Sequence, residues 1–120
     1  MDVNPLTKAS IEYVKQNRRM FIDAVCKDSV ASERPIAVFM AGTPGAGKTE
    51  VAKSIMEFFE VEPCRIDADD FRAMMPGYDG SNSSIVQPAA SMAVDVVLDK
   101  VLHGNYSFIL DGTFAIGKSV

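Results

Sequence analysis

The sequence predicts an α/β fold, a parallel sheet with flanking helices, and three observations carry that prediction. Two short apolar runs, Ile36–Met40 and Phe108–Leu110, have strand length without alternation, as expected of strands buried on both faces of a parallel sheet. Segments with apolar residues at three- and four-residue spacing lie between them, which places helices between strands. A glycine-rich stretch, Gly42–Thr49, joins the first run to the first of these helices.

The elements follow in order. From about Thr7 to Lys27, Ile11, Val14, Phe21, Ile22 and Val25 keep a helical pattern, so one N-terminal helix or two short ones pack on the sheet. The polar link Asp28–Arg34 comes next, and residues 1–34 read as a helical segment with its linker, residues 35–120 as the N-terminal part of the main domain. Pro35 precedes the first strand, Ile36–Met40. Beyond the glycine stretch, Val51, Ala52, Ile55, Met56 and Phe59 recur at helical spacing until Pro63 stops the pattern. Cys64–Ile66 is a short second strand that delivers Asp67-Ala68-Asp69-Asp70 to its carboxyl end, the edge where open α/β sheets bind ligands. A helix starts at Phe71, and Pro76–Ser84 is rich in turn formers, either a mobile loop over that edge or a solvated connector. Val86, Ala90, Ala93, Val94, Val97 and Val101 then form one face of a helix, with Asp95 and Asp99 off it, and Gly104-Asn105 ends it. Phe108–Leu110 is the third strand, with Asp111 at its carboxyl end.

Composition narrows the function. The chain has 120 residues, 48% hydrophobic and 23% charged, which suits one domain with a core of its own. A net charge of −4 and a pI near 4.9 argue against nucleic acid as a partner, because phosphate-backbone affinity needs clustered Lys and Arg. The one basic cluster, Lys15–Arg19, reads as a solvated helix face. Cys26 and Cys64 lack metal-ligand spacing and read as two buried or free thiols in a reducing compartment; His103 reads as a helix C-terminal residue. No apolar stretch is long enough to span a bilayer and no signal peptide opens the chain, so the expected setting is cytoplasmic, without a membrane partner.

The glycine stretch carries the first chemistry. Gly42, Gly47, Lys48 and Thr49 fit G-x-x-x-x-G-K-[ST], a phosphate cradle of the P-loop NTPase type. Through Gly42, Thr43, Pro44, Gly45, Ala46 and Gly47, backbone N–H groups can turn toward a nucleotide triphosphate, ATP or GTP. Lys48 would reach the β/γ-phosphates, and the Thr49 hydroxyl would ligate Mg²⁺. The second chemistry is the acid group Asp67, Asp69 and Asp70. A kinase must deprotonate an acceptor hydroxyl beside the γ-phosphate and fix the Mg²⁺ water shell, and carboxylates do both. In an extended segment Asp67 and Asp69 would point the same way, whereas Asp70 would cap the helix beginning at Phe71. The competing reading gives the whole acid cluster a capping role only. Asp111 ends an apolar run, as the acid near the metal does in P-loop proteins, or caps the next turn.

Taken together, Gly42–Thr49, Ile66–Arg72 and Leu110–Thr113, in that order and spacing, resemble the zeta toxin family of P-loop kinases over about Ile36 to Thr113. The resemblance implies ATP-dependent phosphorylation of the 3′-hydroxyl of UDP-N-acetylglucosamine or a related sugar nucleotide, with a cognate antitoxin protein as partner. By the same resemblance Lys48 and Asp69 are the catalytic pair, Asp69 being the base and, with Thr49, a metal-side residue, while Asp67, Asp95, Asp111 and Thr113 line the sugar-nucleotide pocket. Asp111 stands where the family more often has Glu. The family's phosphate-clamping arginines follow the third strand, and a five-stranded kinase needs roughly 180 or more residues, so the sequence reads as an incomplete, about three-stranded version. Two alternatives stay open: a catalytically incomplete nucleotide- or antitoxin-binding module, and a P-loop small-molecule kinase with another acceptor.

Overall fold

The computed structural model describes residues 4–40, 54 and 56–111. The whole phosphate-loop motif, Gly42–Thr49, lies outside the described residues, as does Thr113. Two N-terminal helices, α1 (Pro5–Gln16) and α2 (Arg18–Cys26), precede strand β1 (Ala37–Met40). Strand β2 (Cys64–Asp67) leads directly into α3 (Ala68–Ala73), and the long α4 (Ser83–His103) returns the chain to β3 (Phe108–Asp111). The described strands form a parallel sheet in the order β1-β3-β2.

Asn17 makes two helices of the N-terminal segment. Its amide Nδ2 donates to the Tyr13 carbonyl at 2.8 Å while its N–H closes α1 on Val14, and its own carbonyl then accepts the Met20 N–H at 3.0 Å to open α2. One asparagine thus ends one helix and starts the next. At the other end of α1, the Asn4 side chain accepts from the Leu6 N–H at 2.8 Å and Pro5 sits at the first helical position, where its missing N–H costs nothing.

Helix α4 is the packing partner of α1, α2 and α3 alike. Its buried stripe, Val86, Ala89, Ala90, Ala93, Val94, Val97 and Val101, is built from small side chains, so three helices can approach it closely. Phe21 of α2 is fully buried and stacks edge-on with Tyr13 of α1 at 6.1 Å and with Phe71 of α3 at 5.8 Å. The helix ends as expected at Gly104-Asn105. Asn105 takes the left-handed conformation (φ 56°), with Tyr106 N–H on the Val101 carbonyl and Asn105 N–H on that of Leu102. A Cβ on Gly104 would meet the Tyr106 ring at 2.8 Å, which accounts for glycine at that position.

Register sorts the sheet residues into two faces. Cys64, Ile66 and Phe108 point to the face that α2 and α4 cover, and all three are buried. Arg65, Asp67, Ile109 and Asp111 point to the other. Strand β1 departs from expectation: it is not buried on both faces. Ala37 and Phe39 are exposed, Phe39 by 66%, although its ring still meets Phe108 edge-on at 5.8 Å. Among the described residues β1 pairs with β3 alone, so it stands at the edge of the described sheet.

The connector 76–82 is held by its own polar groups. Ser81 donates its N–H and hydroxyl to Asp79 Oδ1 at 2.8 and 2.7 Å, and the Asn82 amide donates to the Gly77 carbonyl at 3.0 Å. Gly77 has φ +85°, and a Cβ there would come within 2.8 Å of Leu6 on α1, so the first turn of α1 rests on this connector. The Thr7 hydroxyl adds a bond to the Ile85 carbonyl at 2.8 Å.

Two stability predictions follow from the packing. Phe21→Ala removes the ring shared by α1, α2 and α3 and is expected to cost about 3–5 kcal/mol. Gly77→Ala is expected to cost about 1–2 kcal/mol through its positive φ and the Leu6 contact. Urea unfolding checks both, as a lower midpoint at unchanged slope.

Candidate functional site

The parallel register assembles the site. At the carboxyl edge Asp111 of β3 is paired with Asp67 of β2 on one side and Met40 of β1 on the other. Adjacent strands lie about 4.8 Å apart, so the two acids are side by side. Met40, at the end of β1 on this edge, is the last described residue before the phosphate-loop motif in the sequence. Asp111 is buried, at 6% exposure, and Arg65 reaches it from β2 with Nη2 at 3.7 Å from Oδ2.

The acid run is arranged differently from the extended segment expected. Asp67 is extended (φ −140°, ψ 122°) and caps α3, accepting the Asp69 N–H on Oδ1 at 2.9 Å. The helix begins at Ala68, three residues before the predicted start at Phe71, so Asp69 and Asp70 both lie in its first turn. Asp69 therefore does not share an extended strand with Asp67, and Asp70 is not the cap. The reason is local: an Asp at a strand end satisfies an orphan N–H of the next helix with no intervening loop.

Asp69 forms an ion pair with Arg72, one helical turn on, and Arg72 also donates to Gln87 Oε1 on α4. Gln87 in turn donates from Nε2 to the Ser91 hydroxyl at 3.2 Å. The arginine side chain is only 13% exposed whereas that of Asp69 is 68% exposed, so a buried cation holds a carboxylate that still faces solvent. Asp70 differs: burial, then repulsion from Asp67 and Asp111, raises its carboxyl above the ordinary 3.8, with Arg65 opposing.

Of the residues expected at the site, Asp67, Asp69 and Asp111 come together at this edge. Asp95 is exposed midway along α4, eight residues past Gln87 and so about 12 Å further down the helix axis. Lys48, Thr49, Thr113 and the other phosphate-loop positions lie outside the described residues. Arg65, Arg72 and Gln87 were missed by sequence reasoning. The i,i+3 spacing of Asp69 and Arg72 could have flagged that pair, while Gln87 arrives only through the α3–α4 packing. Among the described residues no three His, Cys, Asp or Glu side chains converge as metal ligands. An edge offering one or two carboxylates fits Mg²⁺, which keeps several waters and takes its remaining oxygens from phosphates.

The sequence profile of the zeta toxin family matches residues 22–119. Among curated proteins, Toxin zeta of Streptococcus agalactiae is 24% identical over 99 residues, covering 77% of this chain and 34% of the relative. Toxin PezT of Streptococcus pneumoniae serotype 4 is 29% identical over 90 residues, covering 69% of this chain and 36% of the relative. A chain of the PezAT chromosomal toxin–antitoxin system of Streptococcus pneumoniae superposes with a TM-score of 0.67 at 23% identity, over 98% of this chain and 50% of that one. A chain of the Pnkp1/Rnl/Hen1 complex does so with a TM-score of 0.56 at 25% identity, over 74% and 30%. The chain thus spans about a third of the length of the curated relatives it matches.

Two outcomes are expected from the edge acids. Asp67→Ala loses the cap and is expected to cost about 1 kcal/mol, while Asp67→Asn, still a good cap, retains most of the stability; thermal melts distinguish them. A carboxyl raised in the folded state favours folding fully below 3.8 and loses that contribution as pH rises through its folded value. Asp70→Asn is therefore expected to be more stable than the parent at pH 7, by less than about 1 kcal/mol since the group is largely solvated, with the gain vanishing toward acid pH in urea melts.

Proposed function

This chain belongs to the zeta toxin family, its profile matching residues 22–119, and on that premise we propose that it carries the nucleotide-holding half of a zeta-type phosphotransferase. The acceptor we assign is a sugar-nucleotide hydroxyl, the 3′-OH of UDP-N-acetylglucosamine or a close relative, and the partner a cognate antitoxin. One observation supports the reading. The register sets Asp67 and Asp111 side by side and level with Met40, the last described residue before Gly42–Thr49 in the sequence, at the carboxyl edge where open α/β sheets bind ligands.

In this reading the backbone of Gly42–Gly47 and the Lys48 ammonium hold the phosphates of ATP, and Lys48 balances charge that builds on the transferred group. Mg²⁺, when bound beside Thr49, supplies further charge neutralisation across the phosphates. Asp69 takes the proton from the acceptor hydroxyl as its oxygen attacks the γ-phosphorus. Its exposure leaves it accessible to an acceptor, and Arg72, fixed by Gln87, sets its direction. Asp67, Asp111 and Thr113 are assigned to the sugar nucleotide, and Asp95, about 12 Å down α4 from Gln87, to a more distant part of it. The Asp67 carboxylate also holds the first turn of α3, and with it Asp69, in place.

The test is turnover by the 120-residue chain. Incubated with ATP·Mg²⁺ and UDP-N-acetylglucosamine, it is expected to give the phosphorylated sugar nucleotide by mass spectrometry. Asp69→Asn should lower the rate by about 10²–10⁴-fold while ATP affinity stays near that of the parent. Lys48→Ala should weaken ATP binding by about tenfold or more. ATP binding with no product from any hydroxyl acceptor would leave a binding module in place of an enzyme, and product from a different acceptor would move the chain to another branch of P-loop kinases.

A further inference from the structure

Cys26 and Cys64 take no part in the chemistry above, yet their surroundings are those of a reactive pair. Cys26 closes α2, Cys64 opens β2, and both are free and buried, at 8% and 3% exposure. α2 packs on β2, and each thiol is an electrostatic neighbour of the other. The Ser29 hydroxyl lies 2.8 Å from Cys64 Sγ, and the Ser29 N–H bonds to the Cys26 carbonyl at 3.0 Å. One tight turn after α2 therefore sets a thiol and a hydroxyl against the same sulfur. Cys64 also lines a polar cleft of about 400 Å³ of mixed charge, with Lys27 and Arg65 beside Asp23, Asp28, Glu62 and Asp70, while Cys26 borders a neighbouring one with Asp23, Lys27 and Lys100.

We propose that Cys64 and Cys26 form a peroxide-oxidisable thiol pair, in which a hydroperoxide oxidises Cys64 and Cys26 resolves the product to a disulfide joining α2 to β2. In the first step the Cys64 sulfur attacks one peroxide oxygen and the O–O bond breaks. The sulfur is oxidised by two electrons to a sulfenic acid, and the second oxygen, reduced, leaves as water (or as an alcohol from an organic hydroperoxide) with the thiol's proton. In the second, the Cys26 sulfur attacks Cys64 sulfur, the S–S bond forms, the S–O bond breaks, and the hydroxyl departs as water with the Cys26 proton.

The division of labour follows from the hydrogen bonds. Donation from Cys26 S–H holds the Cys64 thiol below its ordinary range, burial opposes this, and Ser29 adds a second donor. The same bond, with burial, pushes the Cys26 thiol up. The thiolate is the nucleophile, so Cys64 is attacked by oxidant first and Cys26, already in contact, resolves it. The disulfide would enclose the chain from Cys26 to Cys64, which contains the entire phosphate-loop motif.

Peptide mapping of the folded chain after hydrogen peroxide treatment, with denaturing alkylation of remaining thiols, tests the proposal. The expected product is an intramolecular Cys26–Cys64 link that forms faster in the folded chain than in urea. Cys26→Ser should stop at a Cys64 sulfenic acid captured by dimedone, and Ser29→Ala should slow oxidation by about fivefold, the loss of roughly one hydrogen bond. The proposal is overturned if both thiols remain alkylatable, if only intermolecular links or sulfonic acids form, or if the unfolded chain oxidises as fast. The map of the unsubstituted chain decides this even where a variant fails to fold.

Discussion

Everything at the candidate site depends on the position of β3. It is the strand that pairs with both others, and its parallel register puts Asp111 level with Asp67 and with Met40. A slip of one residue in either pairing would send an acid to the opposite face of the sheet. The slip is blocked from the far side: Phe108, Ile66 and Cys64 must point toward α2 and α4, where they are buried. The hydrophobic face thus fixes the polar one. What places the acids is the apolar packing beneath them.

That packing is centred on α4, and its composition explains why a polar chain of contacts can run beside it. Ala89, Ala90 and Ala93 let neighbouring helices come close, and at the rim of the contact Gln87, itself bonded to Ser91, receives Arg72 from α3. A partly buried guanidinium needs such partners, because an unpaired one is costly to desolvate. Asp69 supplies the countercharge from the solvent side. The arginine is therefore satisfied on one side by the scaffold and on the other by the residue it orients.

Much of this was legible in the sequence, for identifiable reasons. Long periodic segments are read well, and the buried stripe of α4 is the apolar face its spacing predicted, as are the strand-end positions of Asp67 and Asp111. Two readings failed because they needed information that local pattern lacks. The continuous apolar run at Ile36–Met40 is compatible with any position in a sheet, and exposed Phe39 reflects the edge position of β1 among the described strands. The run Asp67-Ala68-Asp69-Asp70 offers three candidate caps, and only the extended backbone of Asp67 selects among them. The approach of Cys26 and Ser29 to Cys64 was out of reach for a different reason, since it arises only because α2 packs on β2.

The passage from β2 to α3 has no loop: Asp67 is the last residue of the strand and the cap of the helix at once. Such a junction has no slack to absorb a change in length. One residue inserted between Asp67 and Asp69 would turn the second acid by about 100° around the helix axis, away from its partners, and one deleted would turn it as far the other way. The residue between the two acids can be exchanged while the spacing cannot, so lineages carrying this site should vary there in that residue's identity and keep the residue count constant, with insertions displaced to the connector between α3 and α4.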